Sequence, residues 1–479
     1  MKPVTSWSFR PYAELYKYSR ALSPYICRLE PGRGGFTVDF IDNGLNDNLS
    51  VASSGLYDKI ADADHLVYYR PREEGGFIPV RPERLKNFFT ADIACEDERD
   101  FEVYVERADG TRSSVRLVRT GYVPGTVINY LHPEDDEYLF SGRYLASPSL
   151  LTLPDGTILA SMDVFHGEKG QNLTLIFRST DGGKRFEYLT EVFPCFWGGL
   201  FIAGGKLYLI GCSREYGDLL IGRSDDGGAT WTTPTVLFRG SSLSAECGCH
   251  RAPMKVEVSH GLVMTDVQYG AWAKGIFCDF VISAPEDSDL LDPANWLSSG
   301  IWNPDEHPEA KLNGVAGGIE GCVVTAPDGK VYDILRYAPG KLLKLRFDPS
   351  DREGELVFDG FIDCPINQSK VDIVFDEKTR LYFMIGSYRL ESPATNRNLL
   401  SLLCSENLDD WSLVSHLIDY RDADPGKIGF QYVSFGIAGD DIIYQSRTAF
   451  NGAHNFHDSN YATFHRIENF RELLGKERG

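Results

Sequence analysis

"RSTDGGKRF", residues 178–186, returns forty-five residues later as "RSDDGGATW", residues 223–231. Both read Ser-x-Asp-x-Gly-x-x-aromatic. The aspartate suits a tight turn in which its carboxylate caps backbone N–H groups, the glycine takes the sharp corner, and the ring plugs the hairpin beneath. Weaker echoes stand at "SAPEDSDLLDPANW" (283–296) and "SENLDDW" (405–411). A recurring turn implies a recurring sheet, so internal repetition governs the reading of the fold.

A second period runs through the same region. Paired apolar runs flank a turn six times, in "SLLTLPDGTILASM", "GGLFIAGGKLYLIG", "MKVEVSHGLVMTDV", "GCVVTAPDGKVYDIL", "VDIVFDEKTRLYFMI" and "YVSFGIAGDDIIYQS". Spread over roughly 330 residues, they give units of about 55 residues, which fits four strands per blade. The fold predicted for residues 126–479 is an all-β, six-bladed propeller, with "NYATFHRI" as the last strand of the sixth blade. Residues 1–125 lack the period. "GFTVDFI", "HLVYYR" and the hairpin around "RADGTR" predict an immunoglobulin- or fibronectin-like β-sandwich there.

Composition narrows the function. The net charge of −21, with no basic run, argues against nucleic-acid binding. No run approaches the length of a membrane span, and "MKPVTSWSFRPYAELYKYSR" lacks the apolar core of a secretory signal, so a cytoplasmic protein is expected. Ten scattered cysteines form no disulfide framework, and "CGCH" at 247–250 lacks a second ligand pair at zinc-finger spacing.

In "EGCVVTAPDGKVYDILR" (320–336) the hairpin folds at Asp328-Gly329 and sets Glu320 beside Arg336 at its open end. An edge salt bridge there would contribute little; a binding site is the alternative. The turns at 179–186 and 224–231 resemble the Asp-boxes of sialidases, and the resemblance spans roughly residues 140–470. In that family a Glu-x-x-Val-Val hairpin supplies a glutamate that polarises a tyrosine nucleophile, and an arginine closing the same hairpin grips the substrate carboxylate. The resemblance therefore implies these roles for Glu320 and Arg336, and a second arginine grip for Arg397 in "TNRNLLSLLCSENLDDW". The chain departs from the pattern at three places. Ala146 replaces the first arginine, Gln171 falls near the place of the acid with His166 and Glu168 as the nearest proton donors, and in "GFQYVSFGIAGDD" the nucleophile's place falls on Phe430 or Gln431, reaching Tyr432 only with a slip.

Other residues suit a sugar site. Trp197, Tyr269 and Trp272 offer rings for stacking, against core packing as the alternative. His250 and Arg251 open the third hairpin and are candidate substrate contacts. His166 is the histidine favoured for acid–base work, with Asp163 close by. "SRTAFNGAHNFHDSNYATFHR" (446–466) gathers Arg447, His454, His457, Asp458 and His465. His454, His457 and Asp458 can hold a divalent metal, serve as acid or base, or tie a long loop to the propeller, and a metal is not favoured. His465 alternates with Phe464 on a strand and reads as structural. Expected catalytic groups are thus His166, Glu320, Tyr432, His454, His457 and Asp458. Expected substrate contacts are Arg336, Arg397, Arg447, His250, Arg251, Trp197, Tyr269, Trp272 and Asp163. The function expected is exo-hydrolysis of an acidic oligosaccharide without a cofactor. β-Elimination from a uronic acid and sugar binding without turnover are the alternatives.

Overall fold

The computed structural model describes residues 7, 23–42, 64–166, 170–240, 247–312 and 317–475. Glu168 and all of the N-terminal stretch 1–20 except Trp7 lie outside these. Six antiparallel sheets succeed one another along the chain from Tyr144. Each predicted hairpin forms the inner two strands of one blade, as in Tyr144–Thr152 with Ile158–Phe165, or Ile319–Thr325 with Val331–Ala338. The inner strand of blade three is split into Gly248–His250 and Glu257–Ser259, both paired to Leu262–Ala271.

Inner strands have neighbours on both faces, so they read as continuous apolar runs rather than alternating ones. The core accordingly lies between successive blades. Leu159, Ile176, Leu209 and Trp231 close blade one on blade two; Met264, Val323, Leu335 and Leu345 close three on four; Phe383, Leu402, Phe430 and Tyr444 close five on six.

The repeated turn is built as its composition demands. Asp181 Oδ1 accepts from Ser179 Oγ and from the amides of Lys184 and Arg185. Gly182 and Gly183 have φ of +78° and +91°, a region that other residues enter only at a cost. Phe186 is fully buried beneath. The second copy repeats this with Ser224, Asp226 and Trp231, whose indole donates to Gly228 O at 3.1 Å. In "SENLDDW" Asn407 takes the aspartate's place, accepting from the amides of Asp409 and Asp410.

One expectation is corrected. "NYATFHRI" supplies the third strand of blade six, Tyr461–Ile467, and not the last. The fourth is Thr126–Tyr130, which pairs Tyr130 with Tyr461 and so ties the start of the propeller to its end. Upstream, a sheet of Tyr25–Gly32, Gly35–Ile41, Phe89–Ala94 and Glu83–Arg84 faces a sheet of Ile78–Val80, His65–Pro71, Asp100–Arg107 and Arg116–Arg119. Val38, Phe40, Val67, Val103 and Val118 are wholly buried between them. This sandwich also caps the closing strand. The buried Arg28 donates from Nε to Ile128 O at 2.8 Å and from Nη2 to Val127 O at 2.9 Å, satisfying carbonyls that an edge strand would leave free.

Candidate active site

The inner strands of blades one, two, four and six each open on a β-bulge, between Ala146 and Ser149, Phe196 and Gly199, Ile319 and Cys322, and Gln431 and Ser434. Inside each bulge one non-glycine residue is left-handed: Ser147 at φ +49°, Trp197 at +56°, Glu320 at +60° and Tyr432 at +53°. Such a conformation costs about 1–3 kcal/mol, and a bulge re-aims the side chain it carries. Buried acceptors hold the strained backbone. Asp163, on the second strand of blade one, accepts from Trp197 N at 2.6 Å. Its counterpart in blade three, Asp266, accepts from Gly321 N at 2.8 Å, while Gln268 Oε1 accepts from Glu320 N at 3.2 Å.

Two of these re-aimed side chains meet. The Tyr432 hydroxyl donates to Glu320 Oε1 at 2.8 Å and accepts from Arg336 Nη1 at 2.9 Å. The same Nη1 lies 2.9 Å from Glu320 Oε2. Arg397 stacks over the Tyr432 ring at 5.5 Å and Arg447 at 5.1 Å. Three guanidiniums from blades four, five and six therefore converge on one phenol. Arg397 is held by Gln431 Oε1 and, at 2.8 Å, by Gln368 O. Arg447 donates to His457 O and rests on the Phe165 ring at 4.5 Å. Tyr432 and Arg336 stay partly exposed, whereas Glu320, Arg397 and Arg447 are buried.

The electrostatics are those of a site short of negative charge. Burial alone would raise Glu320, but Arg336, His250 and Tyr432 outweigh it and keep the carboxyl below its usual range. Burial pulls Arg397 down, and pulls Arg447 down to about 10. The Nε of each is buried without a partner.

The loop between the second and third strands of blade six, Asp441–Ala449 and Tyr461–Ile467, sits over this corner. Asp458 takes His454 Nδ1 on one oxygen at 2.9 Å and His457 Nδ1 on the other at 3.0 Å. His454 stacks on Tyr144 and His457 meets Phe165 edge-on. Arg447, and then burial, lower His457 to about 4, so its ring is neutral at physiological pH. Among the described residues no group of three such side chains is placed to hold a metal ion. His166 is half-buried with its ring against Tyr144 at 5.4 Å.

Several expected contacts lie elsewhere. Asp163, expected at the substrate, is fully buried, and its oxygens are taken by Thr174 and Trp197 N. Arg251 is wholly buried below the site, donating to Met254 O and Thr265 Oγ1. His250 is buried as well, with Nδ1 on Gln268 and its ring wedged between Trp197 and Phe277; burial lowers it to about 4. Tyr269 packs toward Phe238 among the residues between blades two and three. Trp197 is 9% exposed, but Trp272 exposes 55% of its surface on the loop after the second strand of blade three. The residues that sequence reasoning missed are the supports Gln268, Asp266 and Gln368, and Gln431, weighed there for the nucleophile's place, is a support of Arg397 instead. A signal for the bulges does exist: Ser147, Trp197, Glu320 and Tyr432 each stand three residues before an apolar residue of their inner strand, Leu150, Leu200, Val323 and Phe435.

No protein-family profile matches the chain, and no curated protein does. Solved structures do match. The Hadza microbial sialidase Hz136 superposes with a TM-score of 0.50 at 11% identity, over 85% of this chain and 89% of that one. An α-L-arabinanase of Penicillium chrysogenum complexed with arabinobiose gives 0.48 at 14% identity, over 73% and 99%. A PL25 ulvan lyase gives 0.44 at 12% identity, over 79% and 90%. The fold is that of the sialidase-like six-bladed β-propellers.

Proposed function

We propose that this protein is a carbohydrate-active enzyme, an exo-acting glycoside hydrolase that removes a terminal uronic- or sialic-acid-type sugar from an acidic oligosaccharide. One observation carries the reading: a tyrosine hydroxyl shared by a buried carboxylate and a guanidinium, with two further guanidiniums against its ring. Arginine's planar fork suits a carboxylate, and the depressed Arg397 and Arg447 are groups that an incoming anion would stabilise. With the acidic sugar clamped, Glu320 takes the phenolic proton and Tyr432 Oη attacks the anomeric carbon. A neutral phenol approaches an anionic sugar without the repulsion that a carboxylate nucleophile would meet. Water then releases the sugar from tyrosine, so the anomeric configuration is retained. His454 and His457 are assigned to sugar hydroxyls, since Asp458 holds both rings through Nδ1 at this corner of the site. The exposed ring of Trp272 is assigned to stacking on the oligosaccharide. The scheme uses side chains alone, and suits a cytoplasmic enzyme trimming imported oligosaccharides.

A second reading, β-elimination from a uronic acid, is favoured by Gln171, a neutral amide where an acid is expected. Tyr432 would then remove the C5 proton while arginine neutralises the carboxylate. One screen separates the two. Sialylated and uronic-acid disaccharides are incubated with the protein, and reducing sugar and near-ultraviolet absorbance are read together. Hydrolysis gives sugar without absorbance; an unsaturated, absorbing product overturns it. Tight binding without turnover overturns both.

A further inference from the structure

The hydrolytic reading leaves one part unassigned, the group that protonates the departing oxygen. In a four-stranded meander the loop joining strands two and three emerges where the inner strand begins, so these loops ring the end of the propeller that holds Glu320 and Tyr432. Arg397 and the His454–Asp458 clasp lie on such loops in blades five and six. The corresponding loop of blade two, between Lys206–Cys212 and Leu219–Ser224, carries Glu215.

Glu215 meets the residue at the place where the sequence leads one to expect an acid. Gln171, buried and left-handed at φ +44° on the blade-one loop, donates Nε2 to Glu215 Oε2. The next residue, Tyr216, is left-handed at φ +56° and buried. Its ring packs against Trp197, the re-aimed residue of blade two, and its hydroxyl accepts from Trp272 N at 3.1 Å. Through its neighbour Tyr216, Glu215 is fixed on the loop whose hydrogen bond also holds Trp272, the ring assigned to the sugar. Among the described residues, Glu320 is committed to Tyr432 and Arg336, Asp458 to two histidines, and Asp163 and Asp266 to the bulges beneath.

We infer that Glu215 is the acid–base catalyst of this site, a glutamate on blade two acting through the gap that Gln171 leaves on blade one. The inference rests on the hydrolytic reading. Burial holds the Glu215 carboxyl above its usual range, against hydrogen bonds from Tyr216 and Gln171 that lower it. That is the direction a proton donor needs near neutral pH. In the first step the Glu215 proton passes to the glycosidic oxygen as its bond to the anomeric carbon breaks. Tyr432 Oη bonds that carbon, Glu320 holds the phenolic proton, and the leaving sugar departs as a neutral alcohol. In the second step the Glu215 carboxylate takes a proton from water as the hydroxide adds to the anomeric carbon. The tyrosyl bond breaks, Glu320 returns its proton to the phenol, and the site is restored.

The test is Glu215→Gln, assayed on an unactivated acidic disaccharide and on the 4-nitrophenyl glycoside of the same acidic sugar, with azide as an added nucleophile. A 4-nitrophenolate leaves without help, so its release survives the substitution. We expect disaccharide kcat/KM to fall about a hundredfold or more, while azide restores nitrophenyl turnover by forming the glycosyl azide. The alkaline limb of the disaccharide pH profile should flatten. Calorimetric binding of the free acidic monosaccharide should stay within about twofold, since Arg336, Arg397 and Arg447 are untouched. Equal losses on both substrates together with lost binding would mark a merely structural residue and overturn the inference, as would no loss on the disaccharide. Tyr432→Phe, run beside it, keeps the two failures apart. If that variant retains wild-type turnover, the tyrosine-nucleophile reading falls, whatever Glu215→Gln does. A wild-type protein inert on both substrates sinks both.

Discussion

Tyr432 and Glu320, from blades six and four, share one hydrogen bond of 2.8 Å, and each is the left-handed residue of its bulge. Strained backbone holds only where its surroundings over-determine it, and here both partners of one contact carry it. Tyr432→Phe and Glu320→Gln should each lower kcat on an acidic glycoside by about 10²–10⁴ while leaving the fold intact. Steady-state kinetics beside circular dichroism check this. Unchanged kcat in either variant would remove that residue from the chemistry.

Arg447 stands against the Tyr432 ring with its Nε unpartnered. Replacing it by Gln should weaken binding of an acidic monosaccharide about ten- to a hundredfold, on the scale of one charge-assisted hydrogen bond, about 1.5–3 kcal/mol. The carboxamide analogue of the same sugar should lose far less. Titration calorimetry with both ligands decides, and equal losses would show that Arg447 does not read charge.

Behind the bulge of Glu320, a Cβ added to Gly321 would stand 2.1 Å from Asp333 Oδ1. Gly321→Ala should therefore cost about 1–3 kcal/mol of stability by overpacking. A urea midpoint indistinguishable from wild type would mean that the bulge has slack. Because the clash displaces Glu320, activity should fall with stability in this variant.

Asp163 offers a pH test. Burial raises its carboxyl to about 7, against hydrogen bonds from Thr174, Ser147 and the amide of Trp197 that lower it. In the unfolded chain the group titrates near an ordinary value of about 3.9. Between those values the folded protein binds a proton that the unfolded chain has released. The stabilisation associated with that proton is complete below about pH 4 and is lost as pH rises through about 7. The stability of wild type relative to Asp163→Asn should then fall as pH rises across that window. Denaturant titrations at several pH values measure it, and wild type gaining stability relative to Asp163→Asn as pH rises would contradict the burial of a protonated acid.

Much of the propeller was legible because each inner hairpin carries its own local signals, an apolar run, a turn and a second run, as in Val323 to Leu335. The pairing of Ile319 with Arg336 follows from that hairpin, and with it the approach of Glu320 to Arg336. Ring closure was not legible. Tyr130 and Tyr461 pair across almost the whole propeller sequence, and no local pattern encodes such a partner. Tyr432 was blurred for a different reason. The bulge between Gln431 and Ser434 inserts a residue, so counting along a regular strand arrives at its neighbours. Asp163 and Arg251 carry polar side chains that read as contacts, yet they are consumed beneath the site by strained backbone and by Met254 O. Arg447 was visible only as part of a polar loop. Its place beside the phenol comes from its register opposite Gln431 on the adjoining strand.

Trapping the reaction intermediate decides whether Tyr432 is the nucleophile. The protein is treated with a fluorinated acidic glycosyl fluoride that slows release of the sugar, digested, and read by mass spectrometry. One added sugar is expected on the peptide containing Tyr432, mapped to its phenolic oxygen and absent from Tyr432→Phe. Labelling at another side chain, or turnover of natural disaccharides to an unsaturated product with Tyr432 unmodified, would rule out Tyr432 as the nucleophile.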